Sequence, residues 1–250
     1  MRHPPYPSRV QRMRHETTRR ELDVLRVDQI GAHFRSVVLG GAALAGFTSD
    51  SFDDHVKVIL PPVGGDGADG PVMRDYTPRH FDRDRGELTI EFCLHGDGPA
   101  ASWAGQAAPG QHLTVGGPRG SLIIPLDYSW HLLVGDETAL PAISRRLEEL
   151  PAGSLATVIV CVADARDQRS FASRATCKVE WVSNAQQLLE RVRALSLPGG
   201  DNYAWCAGEA RTMAALRAVL VDDKGMDRHA VRAAAYWKQG AIAHHENLQD

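Results

Sequence analysis

Several things are scarce in this sequence, and each scarcity excludes something. Cysteine comes first: the 250 residues hold only Cys93, Cys161, Cys177 and Cys206, far apart and never at C-x-x-C spacing. That pattern disfavours structural zinc, an iron–sulfur cluster and a disulfide framework, and fits a reducing cytoplasm. No apolar run approaches the roughly 20 residues needed to span a bilayer, and the N-terminus lacks the apolar core of a secretion signal. Net charge is small, −3, so the molecule as a whole is not built to coat nucleic acid. Familiar catalytic signatures are missing too: there is no G-x-x-x-x-G-K-[ST], no G-x-S-x-G and no H-E-x-x-H. His244 and His245 lie in a polar tail, read as a solvated end and not as a metal site.

What is present is an ordinary globular composition, 43% hydrophobic and 24% charged, against wholesale disorder. The length suits one large domain or two small ones. Charge is uneven: Arg2, Arg9, Arg12, Arg14, Arg19 and Arg20 stand against Glu16 alone in the first twenty residues. Residues 1–16 are read as a disordered basic arm, with no nucleic-acid or membrane role assigned.

The hydrophobic period changes once along the chain. Residues 20 to 125 carry short Val/Ile/Leu runs punctuated by Gly, Pro and Asp ("ELDVLRVDQI", "FRSVVLGG", "DHVKVILPP", "ELTIEFCLHG", "QHLTVGGP"), the spacing of a β-barrel or sandwich. From Trp130 strand-like and helix-like segments alternate, from "WHLLVGD" and "ALPAISRRLEEL" to "HAVRAAAYWKQG". That alternation predicts a parallel sheet with crossover helices. The boundary falls near "PLDYS", residues 125–129. Gly65, Gly67 and Gly70 match G-x-G-x-x-G by letter, but their flanks, "PPV" and "PVM", supply no helix; the stretch reads as a loop between two strands.

Four stretches carry candidate chemistry. "RDYT" places Arg74, Tyr76 and Thr77 together: a planar fork for phosphate oxygens, a ring with a hydroxyl, and a second hydroxyl able to bond a ring nitrogen. Alone it reads equally as a strand entering a turn. "LHGDGPAASWA", residues 94–104, is rich in small residues, and a helical turn can begin at Pro99, leaving backbone N–H groups for a phosphate. "GGPRGS", residues 116–121, is a tight turn carrying Arg119. "VGDETALPAI" puts Gly135, Asp136 and Thr138 at a strand's carboxyl end, and "WCAGE" ends a later strand of the same sheet, where open α/β sheets bind ligands.

The order R-x-Y-T, L-H-G-x-G-P-A-x-x-W-A, G-P-R-G-S, G-D-E-T-A-L-P-A-I, W-x-A-G-E and Y-W-x-x-G resembles the siderophore-interacting protein family, within the ferredoxin–NADP reductase superfamily. The resemblance covers about residues 17 to 245. It implies an N-terminal antiparallel FAD-binding β-barrel, residues 17–126, and a C-terminal α/β parallel-sheet NAD(P)-binding-like domain, residues 127–250. It further implies a cytoplasmic, monomeric flavoprotein that reduces Fe(III) in siderophores with NADPH, NADH or reduced ferredoxin. The alternatives are a flavodoxin- or ferredoxin-type reductase and a non-catalytic iron-chelate binding module.

The resemblance also implies roles. Arg74 would bind the FAD pyrophosphate, Tyr76 would pack on the flavin and ribityl region, and Thr77 would sit by the reactive edge of the flavin ring. His95, Gly96 and the turn of Gly98, Pro99, Ala100, Ala101 and Ser102 would hold the diphosphate, with Trp103 nearby. Asp136 and Thr138 would line the interdomain cleft, and Gly208 and Glu209 would lie near the nicotinamide. No side chain need act as a catalytic acid or base, and no resident metal is expected. Lys57, Arg119 and Lys238 are the candidate cations for an anionic chelate.

Overall fold

A computed structural model describes residues 9–60, 70–94, 96, 98–240 and the backbone of 246–247. The candidate residue His95, the glycine-rich positions 65 and 67, and His244 and His245 lie outside the described residues. The chain divides into two compact units, one spanning Arg12–Ile123 and the other running from Ile124 onward together with the segment up to Gln11.

The first unit contains β1 (Gln11–Arg14), β2 (Arg19–Ile30), β3 (Phe34–Gly40), β4 (Val56–Leu60), β5 (Val72–Tyr76), β6 (Pro78–Asp82), β7 (Glu87–Cys93), α1 (Pro99–Gly105), β8 (His112–Gly116) and β9 (Gly120–Ile123). Seven strands form one antiparallel sheet in the order β5-β4-β8-β2-β3-β7-β6, while β1 pairs with β9. Strands β5 and β6 are the two edges of that sheet, yet only Thr77 separates them in the chain. Laid flat, edges six strand spacings apart would stand about 29 Å from each other, and one residue reaches at most about 3.6 Å. The sheet must therefore curl into an open barrel with Thr77 at its seam. Alternate residues fill the inside: Leu22 and Val24, Val37 and Leu39, Val56, Val58 and Leu60, Leu88, Ile90 and Phe92, Leu113 and Val115 are all buried in one core, as a period of two requires. Ala100 and Ala104, one helical turn apart on α1, join it.

Within the stretch 1–16, expected to be a disordered arm, Gln11–Arg14 is a strand, and Arg9 forms ion pairs with Asp127 and Asp201.

The second unit contains β10 (Trp130–Asp136), α2 (Leu140–Glu149), β11 (Leu155–Cys161), β12 (Thr176–Val182), α3 (Ala185–Ala194), β13 (Asn202–Glu209), α4 (Ala210–Ala218), β14 (Val231–Trp237) and β15 (Glu246–Asn247). The sheet order is β12-β11-β10-β13-β14-β15. The first five strands are parallel and β15 is antiparallel. Every residue of β10 is buried, the signature of a central strand in a sheet covered on both faces. From β10 the chain builds outward through β11 to β12, then returns to lay β13 on the other side of β10. The strand order reverses between β10 and β13, and ligands of such sheets bind beyond the carboxyl ends at that switch.

Arg146 on α2 is buried and donates from Nη1 to the Ile124 carbonyl (3.1 Å) and from Nη2 to the Pro125 carbonyl (2.6 Å). Burial lowers its pKa to about 10. No helix among the described residues is long and apolar enough to cross a membrane.

Candidate functional site

The barrel unit gathers its candidate residues around three elements: β5, β7 and α1. Strand β5 is an edge, paired on one side with β4, where Arg74 faces Val58 and Tyr76 faces Val56. Arg74 is half-buried and donates to the Met73 carbonyl at 2.9 Å; among the described residues no carboxylate pairs with it. Tyr76 rests its ring on Phe92 of β7 at 4.4 Å between centroids, and Phe92 in turn meets Trp103 of α1 at 5.4 Å. This row of three rings ties the edge strand β5, the strand β7 beside the opposite edge, and helix α1 together. Burial raises the Tyr76 phenol pKa, with Cys93 adding to the effect, so the hydroxyl stays protonated as a donor. Thr77, at the seam, is buried.

Helix α1 begins as its sequence predicts, with Pro99 at the first position, Gly98 as the N-cap and no side chain capping the end. Ser102 N–H reaches the Gly98 carbonyl at 2.9 Å. Proline has no N–H, so the first turn leaves the Ala100 and Ala101 N–H groups outside the helical ladder. A Cβ added at Gly96 or Gly98 would meet nothing within 4 Å, and Gly96 has φ +61. Among the described residues, the space beside this uncapped helix start is open.

The candidate cations differ among themselves. Lys57 Nζ lies 2.7 Å from Asp75 Oδ2, so its charge is already shared. Arg119 and Lys238 are exposed.

At the switch of the α/β sheet the polar groups answer one another. Asp136, the last residue of β10, is only 9% exposed. Its Oδ1 accepts from the Thr138 N–H (3.0 Å) and hydroxyl (2.5 Å). Its Oδ2 accepts from the Glu209 N–H (2.9 Å) and the Trp237 indole Nε1–H (2.8 Å). The carboxylate therefore binds the ends of β10, β13 and β14 to one another. Burial lifts its pKa to about 6, against the opposing effect of the Thr138 hydroxyl. Gly208 makes this possible: with φ +151 it adopts a conformation few side chains tolerate, and a Cβ there would lie 2.4 Å from Asp136 Oδ2. Gly135 is equally constrained, since a Cβ would approach the Ala207 carbonyl oxygen to 2.5 Å. Glu209 caps α4, its Oε2 accepting from the Arg211 N–H (2.8 Å) and the Thr212 N–H (3.0 Å). Its other oxygen, Oε1, is buried with no hydrogen-bond partner among the described residues.

Two residues of these constellations were absent from the sequence-derived set. Phe92 sits in a strand whose alternation reads as ordinary core. Trp237 belongs to the quoted Y-W-x-x-G stretch, but nothing local marks it as the partner of Asp136.

Comparison with known proteins converges on one family. The profile described as "Siderophore-interacting protein" matches residues 128–240, and that described as "Siderophore-interacting FAD-binding domain" matches residues 23–122. The chain is 40% identical to an "NADPH-dependent ferric-chelate reductase" of Escherichia coli strain K12, over 94% of this chain and 97% of that one. It is 33% identical to a "Ferric vibriobactin reductase" of Vibrio cholerae, over 91% and 93%. Among solved structures, a siderophore utilization protein from T. fusca superposes with a TM-score of 0.87 at 33% identity, covering 94% of this chain and 98% of that one. With both halves matched in order, and a relative of this identity aligned along nearly its full length, the chain belongs to the siderophore-interacting protein family.

Proposed function

We propose that this chain is a cytoplasmic, monomeric FAD-dependent reductase that takes electrons from NADPH and reduces Fe(III) held by a siderophore, releasing the iron as Fe(II). The observation that carries this reading is the uncapped start of α1. Two backbone N–H groups, a proline that donates nothing and glycines with open space beside them form a cradle for anionic oxygen that no side chain among the described residues caps. The residues present fit FAD. Ala100 and Ala101 would donate to the diphosphate, with Gly96, Gly98, Pro99 and Ser102 shaping the turn, and Arg74 would supply the positive fork. Tyr76, braced by Phe92 and Trp103, would offer ring contact and a neutral hydroxyl, and Thr77 a second hydroxyl at the seam.

FAD, when bound, accepts electrons as a hydride and passes them on singly. The chain's part is binding and orientation. Glu209 and Gly208 would border the nicotinamide of NADPH, with Glu209 Oε1 as an acceptor for which the described chain offers no donor; the carboxamide of nicotinamide carries that donor chemistry. Asp136 and Thr138 hold the crevice in shape from within. Arg119 and Lys238 would attract an anionic chelate, and Lys57 would join them on parting from Asp75. Fe(II) carries less charge than Fe(III), so hard anionic oxygen ligands hold it less strongly, and reduction alone releases it.

The test is a visible spectrum of the purified protein, followed by anaerobic NADPH and then a ferric chelate with an Fe(II)-trapping dye. Flavin bands that NADPH bleaches and the chelate restores, with dye-trapped Fe(II), are expected. A protein that stays colourless after FAD is added would overturn the reading; bands that only chemical reduction bleaches would transfer the donor role to ferredoxin.

A further inference from the structure

In the α/β sheet, β14 lies two strands from β10, with β13 between them, a separation of about 10 Å at ordinary strand spacing. The Trp237 indole nevertheless donates to Asp136 Oδ2 at 2.8 Å. The ring must therefore reach across the carboxyl end of β13, over Gly208 and Glu209. Gly208 clears the path, because a side chain there would strike Asp136 Oδ2 itself. The carboxylate that holds the indole is in turn held by three other donors, Thr138 N–H, Thr138 hydroxyl and Glu209 N–H. Trp237 is nonetheless 42% exposed, one of few large apolar side chains so placed. A half-exposed indole with a fixed tilt thus stands at the mouth of the switch crevice, and the buried Oε1 of Glu209, an acceptor without a partner among the described residues, lies at the same strand end. A flat apolar wall beside an unanswered acceptor suits a flat ring bearing an N–H donor.

We propose that Trp237 is a binding residue for the nicotinamide end of the electron donor, packing its indole against that ring, and that Asp136 is the positioning residue that sets the indole's orientation. This rests on the reading above that the donor is a nicotinamide dinucleotide. No proton or electron passes through either residue; the pair contributes affinity and alignment.

The test is calorimetric titration of the FAD-loaded protein with NADP+ and, separately, NAD+, for wild type, W237A, W237F, D136N and the double variant W237F/D136N. Acrylamide quenching of tryptophan emission is read alongside. W237A is expected to raise the dissociation constant of the tighter nucleotide about tenfold, the loss of an aromatic contact of roughly 1.4 kcal/mol. W237F and D136N keep an aromatic ring but lose its tether, so each should show a smaller rise, and the double variant should be no weaker than the weaker single, because both remove one bond. Bound nucleotide should shield tryptophan emission in wild type and not in W237F. Wild type that binds nucleotide with an affinity no variant changes would overturn the inference and leave the reductase reading standing. Effects of W237F and D136N that add fully would overturn the positioning role of Asp136. Wild type that binds neither nucleotide would overturn both the inference and the nicotinamide-donor reading. W237F, which conserves an aromatic ring, keeps the outcome decisive if W237A folds poorly.

Discussion

The two units place their candidate groups under opposite conditions. In the barrel, the groups that point to a ligand are unanswered among the described residues: the Ala100 and Ala101 N–H groups have no side-chain cap, and Arg74 meets only its own strand's carbonyl. At the switch of the α/β sheet nearly everything is answered, with one carboxylate accepting four donors from three residues, Thr138, Glu209 and Trp237. The barrel site is thus of a kind that a bound anion completes, and the sheet site of a kind that keeps its form alone. Variants at the first should cost ligand and spare the fold; variants at the second should cost the fold or its alignment.

The largest expected effect tests the second half of that contrast. Gly208→Ala drives a methyl group into Asp136 Oδ2 from a backbone conformation alanine resists. We expect about 3 kcal/mol of lost stability, read by urea denaturation with tryptophan emission. A variant as stable as wild type would mean the clamp yields easily.

A similar magnitude hides in the pH profile of the same unit. Burial, reinforced by the nearby Arg146 guanidinium, holds the pKa of His131 down to about 4, so its stabilising contribution is present above the unfolded value near 6.5 and is lost as pH falls through 4. Asp136, lifted to about 6 by burial, does the reverse: its contribution is present below 3.8 and is lost as pH rises through 6. Each effect amounts to about 3 kcal/mol, and between pH 6.5 and 4 they nearly cancel. Wild type should show a flat acid limb across that window. Asp136→Asn, which cannot titrate, should lose about 3 kcal/mol from pH 6.5 to 4; a slope equal to that of wild type would remove Asp136 as the counterweight.

Arg74→Ala tests the barrel half. FAD should bind more weakly by about 1.5–3 kcal/mol, the worth of a charge-assisted bond to phosphate, with thermal stability of the flavin-free protein little changed. Flavin content that survives dialysis as in wild type would sink the assignment. The smallest effect is expected at Lys57→Glu: a few-fold rise in KM for an anionic ferric chelate, greatest at low salt, muted because Asp75 already shares the charge. An unaltered salt dependence would take Lys57 off the substrate face.

The architecture was legible where periodicity carries it. Period-two runs marked the barrel strands, and the change at Trp130 marked the α/β unit, because burial on one or both faces imprints those patterns. Pro99 announced the start of α1 through its missing N–H. Strand β1 was missed because all four of its residues are exposed, leaving no alternation to read. The bond from Trp237 to Asp136 joins residues 101 positions apart, and no local preference reports such a pair. The seam at Thr77 was hidden similarly: "RDYT" reads as a strand entering a turn, and nothing local reports that the strands on either side of Thr77 are the two far edges of one sheet.

The ion pairs of Arg9 bear on the order of events during synthesis. Asp201, which Arg9 Nη1 meets at 2.5 Å, lies 192 residues further along the chain. At about 5–20 residues per second, the arginine waits roughly 10–40 s for that partner to be made, while the barrel between them has time to form. Asp127, its other partner, is made 118 residues after Arg9, so the arginine gains its two carboxylates in turn, and translation speed over the second half of the message sets how long it waits for the second.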